Sequence, residues 1–209
     1  MKTLIPAAIR CALMFLLPVV TYAISTQWDL DPISGDWNTA ANWTRNDVPN
    51  SPGNTATFGL SNTTDVSISA DTDVNGITFT SAATNPYTIT ASPGLTLTIS
   101  GVGITNNSGI TQNINIPVDV NGNTGTLAFS NHATAGSKVS IDSFDARGGG
   151  DINFFNTSTA GSATIFNYQG RVSFANHSTA ANSTIVATLR CFVSFSGNSS
   201  AQRVHRGRG

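Results

Sequence analysis

One phrase recurs in this chain and limits what it can fold into. It reads Phe129-Ser-Asn-His-Ala-Thr-Ala-Gly-Ser-Lys-Val-Ser-Ile141, then Phe154-Phe-Asn-Thr-Ser-Thr-Ala-Gly-Ser-Ala-Thr-Ile165. It returns as Phe174-Ala-Asn-His-Ser-Thr-Ala-Ala-Asn-Ser-Thr-Ile185, and in worn form as Phe195-Ser-Gly-Asn-Ser-Ser-Ala201. Aligned on Phe, the copies advance by 25, 20 and 21 residues. A period of this size marks a solenoid of stacked supersecondary units.

Composition agrees. Only 10% of the 209 residues are charged, and all 11 acids are Asp. A Glu-free chain rich in Thr, Ser, Asn, Gly, Val and Ile favours strands and tight turns over helix. Short alternating stretches follow one another: Thr55–Phe58, Val66–Ile68, Val74, Ile77–Phe79, Tyr87–Ile89, Leu95–Ile99 and Ile114–Val120. Turn signals separate them at Ser61–Thr64, Asn75-Gly76, Asn85-Pro86, Ser92–Gly94, Asn106–Gly109 and Asn121-Gly122. A sandwich would need longer strands in hairpins. Strands with two or three inward apolar residues, repeating at about 20 residues, predict an all-β, parallel β-helix.

Stacking like on like then places Phe129, Phe154, Phe174 and Phe195 in one interior ladder and Ile165 and Ile185 in another. Ile141 joins the second if its copy absorbs a one-residue insertion. Asn131, Asn156 and Asn176 form an Asn ladder at a corner. With rungs ~4.8 Å apart, about seven coils over residues 62–201 make a rod on the order of 33 Å long. The extra residues of the 25-step, Ser143–Asp151, bulge out as a loop.

Four segments follow. Residues 1–23 read as a Sec-type signal peptide: Lys2 and Arg10 precede an apolar core, Cys11–Val20, and Thr21-Tyr22-Ala23 ends in small residues suited to cleavage. That core is short of the ~20 residues a spanning helix needs. Residues 24–60 are a cap segment holding all three tryptophans, Trp28, Trp37 and Trp43. Residues 61–200 are the β-helix repeat region. Residues 201–209 are an irregular basic tail that abandons the repeat. The decay after Ser196 reads as an incomplete polypeptide, a fragment or a frame-shifted end, rather than as a nucleic-acid-binding tail.

Removal of residues 1–23 leaves 8 basic and 11 acidic residues, a net charge of −3. Residues 24–151 carry −8 and residues 152–209 carry +5. With Cys11 removed, Cys191 stands alone, so no internal disulfide holds the fold.

Trp28…Gly35-Asp36-Trp37-Asn38…Asn42-Trp43, followed by Pro49 and Thr55-Ala56-Thr57-Phe58, resembles the N-terminal portion of bacterial autotransporter-type passenger proteins. Val74-Asn-Gly-Ile77-Thr-Phe79…Tyr87-Thr-Ile89…Gly94-Leu-Thr-Leu97-Thr-Ile-Ser-Gly101 is similar to their autotransporter-associated β-strand repeat. The resemblance spans roughly residues 27–200. It implies a right-handed β-helix exported from a Gram-negative bacterium, secreted or at the cell surface, adhesin-like in role. Attachment to the outer membrane would need a C-terminal β-barrel of amphipathic strands, and no such strands follow residue 201.

No catalytic, cofactor-binding or metal-ligating constellation is expected, and no nucleic-acid partner. Asp29/Asp31 and Asp71/Asp73 are Asp-x-Asp pairs whose carboxylates would share a face of a strand. That would suit acid/base work on a polysaccharide or a cation site, but Asp71–Asp73 also reads as an ordinary turn entering a strand. Gly148-Gly-Gly-Asp151 is one weak copy of a calcium-binding pattern. His132 and His177 fall at equivalent outer-turn positions, with Thr157 between them. The leading expectation is a non-enzymatic structural stalk, with host-surface or glycan ligands and self-association through open helix ends as its contacts. The alternatives are a polysaccharide-acting lyase or hydrolase using Asp71 and Asp73, and a carbohydrate-binding module using the tryptophans as sugar platforms.

Overall fold

A computed structural model describes residues 25–144, 148–188 and 190–201. Residues 1–23, read as a signal peptide, and nearly all of the tail 201–209 lie outside the described residues, as do residues 145–147 of the expected loop. Alternation of inward apolar and outward polar residues yields short strands throughout. These are β1 (Ser25–Gln27), β2 (Ser51–Phe58), β3 (Asp65–Ser67), β4 (Thr72–Phe79), β5 (Thr88–Thr90), β6 (Thr96–Asn106) and β7 (Gln112–Asn115). They continue as β8 (Thr126–Phe129), β9 (Ser137–Ser143), β10 (Asp151–Phe154), β11 (Ser162–Asn167), β12 (Arg171–Phe174), β13 (Thr184–Ala187) and β14 (Phe192–Phe195).

Two sheets form. One is ordered β1-β2-β4-β6-β8-β10-β12-β14 and the other β3-β5-β7-β9-β11-β13. Neighbours such as β4/β6, β8/β10 and β11/β13 pair in parallel. Each turn thus lays one strand on each sheet, which is a parallel β-solenoid. Isolated bridges linking Thr134, Thr159, Thr179 and Ser200 add a third line of stacking, one residue per turn.

The expected ladders are present. Phe129, Phe154, Phe174 and Phe195 pair in register. Their ring centroids lie 4.9, 4.6 and 4.8 Å apart, with interplanar angles of 4–5°. The rung spacing imposes this near-parallel stack; each aromatic pair is worth about 0.5–1.5 kcal/mol beyond its buried area. The aliphatic ladder is longer than expected: Val66, Ile89, Ile114, Ile141, Ile165 and Ile185 align. Ile141 enters it across a register shift between Ser162 and Thr164, which absorbs the extra residue.

Three expectations need correction. The turns carrying strands on both sheets run from β2/β3 to β12/β13, about six rather than seven. The reason is turn length: from Val66 to Ile89, Ile114 and Ile141 the chain advances 23, 25 and 27 residues per turn. Asn75-Gly76 is not a turn but lies inside β4, at a register shift against both neighbouring strands. A Cβ on Gly76 would sit 2.7 Å from the Gly103 carbonyl of the next rung, so glycine suits that close approach. The stretch Ile114–Val120 is not one strand. β7 ends at Asn115, and Val118 instead bridges Thr124 antiparallel around an exposed turn.

The cap lies over the first turn and covers both sheets there. β1 pairs with β2, and Trp37 N–H donates to the Ser67 carbonyl of β3 at 2.9 Å. The Asn38 amide oxygen accepts from the N–H groups of Ser69 and Ala70. A single turn of 3-10 helix, Ala40–Asn42, and a tight turn at Thr44–Asn46 with Arg45 and Asn46 at positive φ shape the segment. Buried Asn42 ties it together, donating to Ser34 Oγ and the Asp36 carbonyl and accepting from Ser34 N–H. Burial pushes the Asp36 carboxyl up, but hydrogen bonds from Thr39, Ser69 and Asn38 outweigh it and hold the pKa below the usual carboxylate value. The ladder itself begins at β2, inside the segment read as cap.

Candidate functional site

The sequence-derived candidates divide sharply. Trp28, Trp37 and Trp43 are 0%, 0% and 1% exposed. Their rings pack on one another and on Phe58 at centroid distances of 5.0–6.1 Å. Each indole N–H donates inward, to the carbonyls of Thr63, Pro49 and Trp37 respectively. No tryptophan face is free for a sugar ring, so the carbohydrate platform built on them is ruled out. They are the capping core. Tyr87 extends this cluster; its hydroxyl donates to the Gly59 carbonyl at 2.8 Å, and burial pushes its pKa up to about 12.

Asp71 and Asp73 are each engaged with the following rung. Asp71 Oδ1 accepts from Thr96 N–H at 2.8 Å, and Asp73 Oδ1 accepts from Ser100 Oγ at 2.6 Å. Both carboxylates tie β4 to the next rung. Asp31 accepts from the Asn62 side chain and so pins the cap. The glycines before Asp151 are backbone packing: Gly150 N–H bonds the Ile116 carbonyl, and its own carbonyl accepts from Ser143 Oγ. Asp151 pairs with Arg171 on the adjacent rung at 2.9 Å. His132, Thr157 and His177 occupy the same exposed corner position on successive turns, and His177 Nε2 meets the Asn198 side chain at 3.1 Å. Cys191 contacts the Thr188 carbonyl through Sγ. Among the described residues, no three His, Cys, Asp or Glu side chains gather as metal ligands would.

A concave site lies elsewhere, on the outer face of the six-stranded sheet. It is a groove of about 570 Å³. Its floor is one outward row across four rungs: Asn115, Asp142, Phe166 and Val186, in register through β7, β9, β11 and β13. These alternate with the inward Ile114, Ile141, Ile165 and Ile185, so the solenoid core holds the row in place. One wall is Phe144 against Tyr168, an edge-to-face pair 5.1 Å apart. Tyr168 N–H bonds the Ser143 carbonyl and fixes that wall to β9. Asn167 and Thr188 complete the rim. Asn167 is buried and braced by Gly170 N–H and the Phe192 carbonyl.

The groove is aromatic and acidic. Phe144 is 54% exposed and Phe166 43%. The Asp142 carboxyl accepts from Ser140 Oγ at 3.1 Å, and among the described residues it has no ion pair. Burial pushes its pKa upward against that hydrogen bond. Among the described residues no Lys or Arg lines the groove. Sequence reasoning missed this site. The available signal was an aromatic at an outward position, Phe166 directly after ladder residue Ile165. Its meaning depends on the register that sets it between Asp142 and Val186.

No protein-family model, no curated protein and no solved structure matches this chain. The fold and the groove therefore carry the functional reading alone.

Proposed function

We propose that this protein is an exported, non-enzymatic β-solenoid that acts as a structural stalk or surface passenger. The observation that carries this reading is the internal stack: an aliphatic column running unbroken from Val66 to Ile185, with the Phe129–Phe195 column beside it and the tryptophan cap at its first turn. Nearly every buried side chain serves the stack. Such a rod gains stability with each added rung and presents a regular, low-charge surface of Thr, Asn and Ser. The engagement of Asp71 and Asp73 in rung-to-rung hydrogen bonds supports a scaffold over a polysaccharide lyase or hydrolase.

The test is expression of the full chain in a Gram-negative host. The expected product lacks residues 1–23, lies outside the cytoplasm, and gives no turnover of acidic polysaccharides. Cytoplasmic retention with an intact N-terminus would overturn export. Polysaccharide cleavage that disappears in Asp71→Asn and Asp73→Asn would overturn the non-enzymatic reading.

A further inference from the structure

We propose that the Asn115–Asp142–Phe166–Val186 groove binds a glycan bearing free amines, a glucosamine-type oligosaccharide. This goes beyond the stalk reading and does not depend on it.

Three features select the ligand class. First, Phe166 and Phe144 expose ring faces in a concave site, where the apolar C–H faces of pyranose rings stack well and where a solvent-only role would favour polar residues. Second, Asn115 and Thr188 supply amide and hydroxyl groups for sugar hydroxyls. The row advances by one rung at a time, about 4.8 Å, which is close to the length of one pyranose unit in a chain. Successive rings can therefore address Asn115, Asp142, Phe166 and Val186 in turn. Third, the site holds a half-buried carboxylate with a single Ser140 hydroxyl partner and no lining cation among the described residues. An incoming ammonium gives Asp142 the charge partner that the described residues do not supply, with added attraction from the aromatic faces. The same carboxylate repels uronates and sulfated sugars, which carry its own sign.

Two described cations, Lys138 and Arg171, are engaged away from Asp142, and Arg190, exposed two residues past Thr188, is not among the groove's lining residues. Lys138, at the start of β9, donates to the Gly109 carbonyl, and Arg171 is paired with Asp151. The outward row positions beside Asp142 on β7 and β11 are Asn115 and Phe166.

Calorimetric titration of the folded protein tests the assignment. The probes are a glucosamine tetramer, its fully N-acetylated counterpart and a galacturonate tetramer, at a pH above the Asp142 carboxyl's titration and below the amine's. The amine-bearing tetramer is expected to bind, with the other two weaker by on the order of tenfold, the effect of one charge-assisted hydrogen bond. Asp142→Asn and Phe166→Ala should each weaken binding by a similar factor. His132→Ala, at a corner away from the groove, should leave it unchanged. Absence of binding by the wild-type protein, equal affinity for the acetylated tetramer, or undiminished binding by Asp142→Asn would overturn the proposal. The ligand comparison on the wild-type protein decides the matter even if a variant fails to fold, and it leaves the export and turnover tests untouched.

Discussion

Asn131, Asn156 and Asn176 each hold a left-handed corner, with φ of 54°, 57° and 61°. Their side chains also link rungs: Asn156 Oδ1 accepts from Asn131 N–H at 3.2 Å, and Asn176 Oδ1 from Asn156 N–H at 3.0 Å. Asparagine suits both tasks because its short amide tolerates the αL region and reaches the next backbone. In the fourth copy Gly197 takes the corner with φ 65°, keeping the backbone and losing the amide. Asn156→Ala combines αL strain with a lost hydrogen bond and should cost about 1–2 kcal/mol. Asn156→Gly should retain most of the stability, and urea midpoints of the two variants check the difference. Asp142 gives a pH prediction. Its folded-state pKa is raised above the unfolded value by burial, so the folded state binds the proton more tightly. The penalty is absent below the unfolded pKa and grows as pH rises through the folded one. Asp142→Asn should therefore gain stability over wild type near neutrality and lose that advantage in acid, as paired urea titrations would show. At this scale the sequence was readable where residues repeat, as at the Phe and Asn ladders. It was silent at Phe166, whose neighbours come from other rungs.

At the scale of elements, each turn behaves as an exchangeable unit. β10 pairs with β8 and β12 with its Phe in register both times, and the corner threonines 134, 159 and 179 bridge in series. Deleting residues 155–174 would join Phe154 to Ala175 and let β9 meet β13 with Ile141 beside Ile185. The shortened protein should fold cooperatively, with a lower denaturant m-value because less surface is exposed on unfolding. Deleting residues 155–164 should instead break every ladder beyond β10, and circular dichroism with chemical denaturation distinguishes the outcomes. The strands themselves were legible from alternation, but their ends were not. Asn75-Gly76 looks like a turn and lies within β4, opposite the extra residues that β2 and β6 each insert there. Nothing in the dipeptide reveals that another rung, at Val102 and Gly103, presses against it. The turn at Asn121-Gly122 does match its local signal, because there the chain is exposed and no neighbour overrides it.

For the whole molecule, order along the axis comes from one asymmetric device: an aromatic knot of three tryptophans and Phe58 at the first turn, followed by repeated rungs. The cap's location was legible because the tryptophans cluster in sequence; its burial was not, since the same spacing fits an exposed platform. The inter-strand hydrogen bonds, drawn so far as the links between rungs, all run along the rod axis, and this has a mechanical consequence. A force applied along that axis loads each rung's bonds one set at a time instead of shearing many together. Pulled from its C-terminal side, the rod should yield by peeling. Each event should release one turn of 20 to 27 residues, or roughly 70–95 Å of extended chain, and single-molecule stretching would record this as a series of steps of that unequal length, one per turn. The tryptophan knot should be the last element to let go. Such a stalk would act as a graded shock absorber whose extension is counted out in repeats.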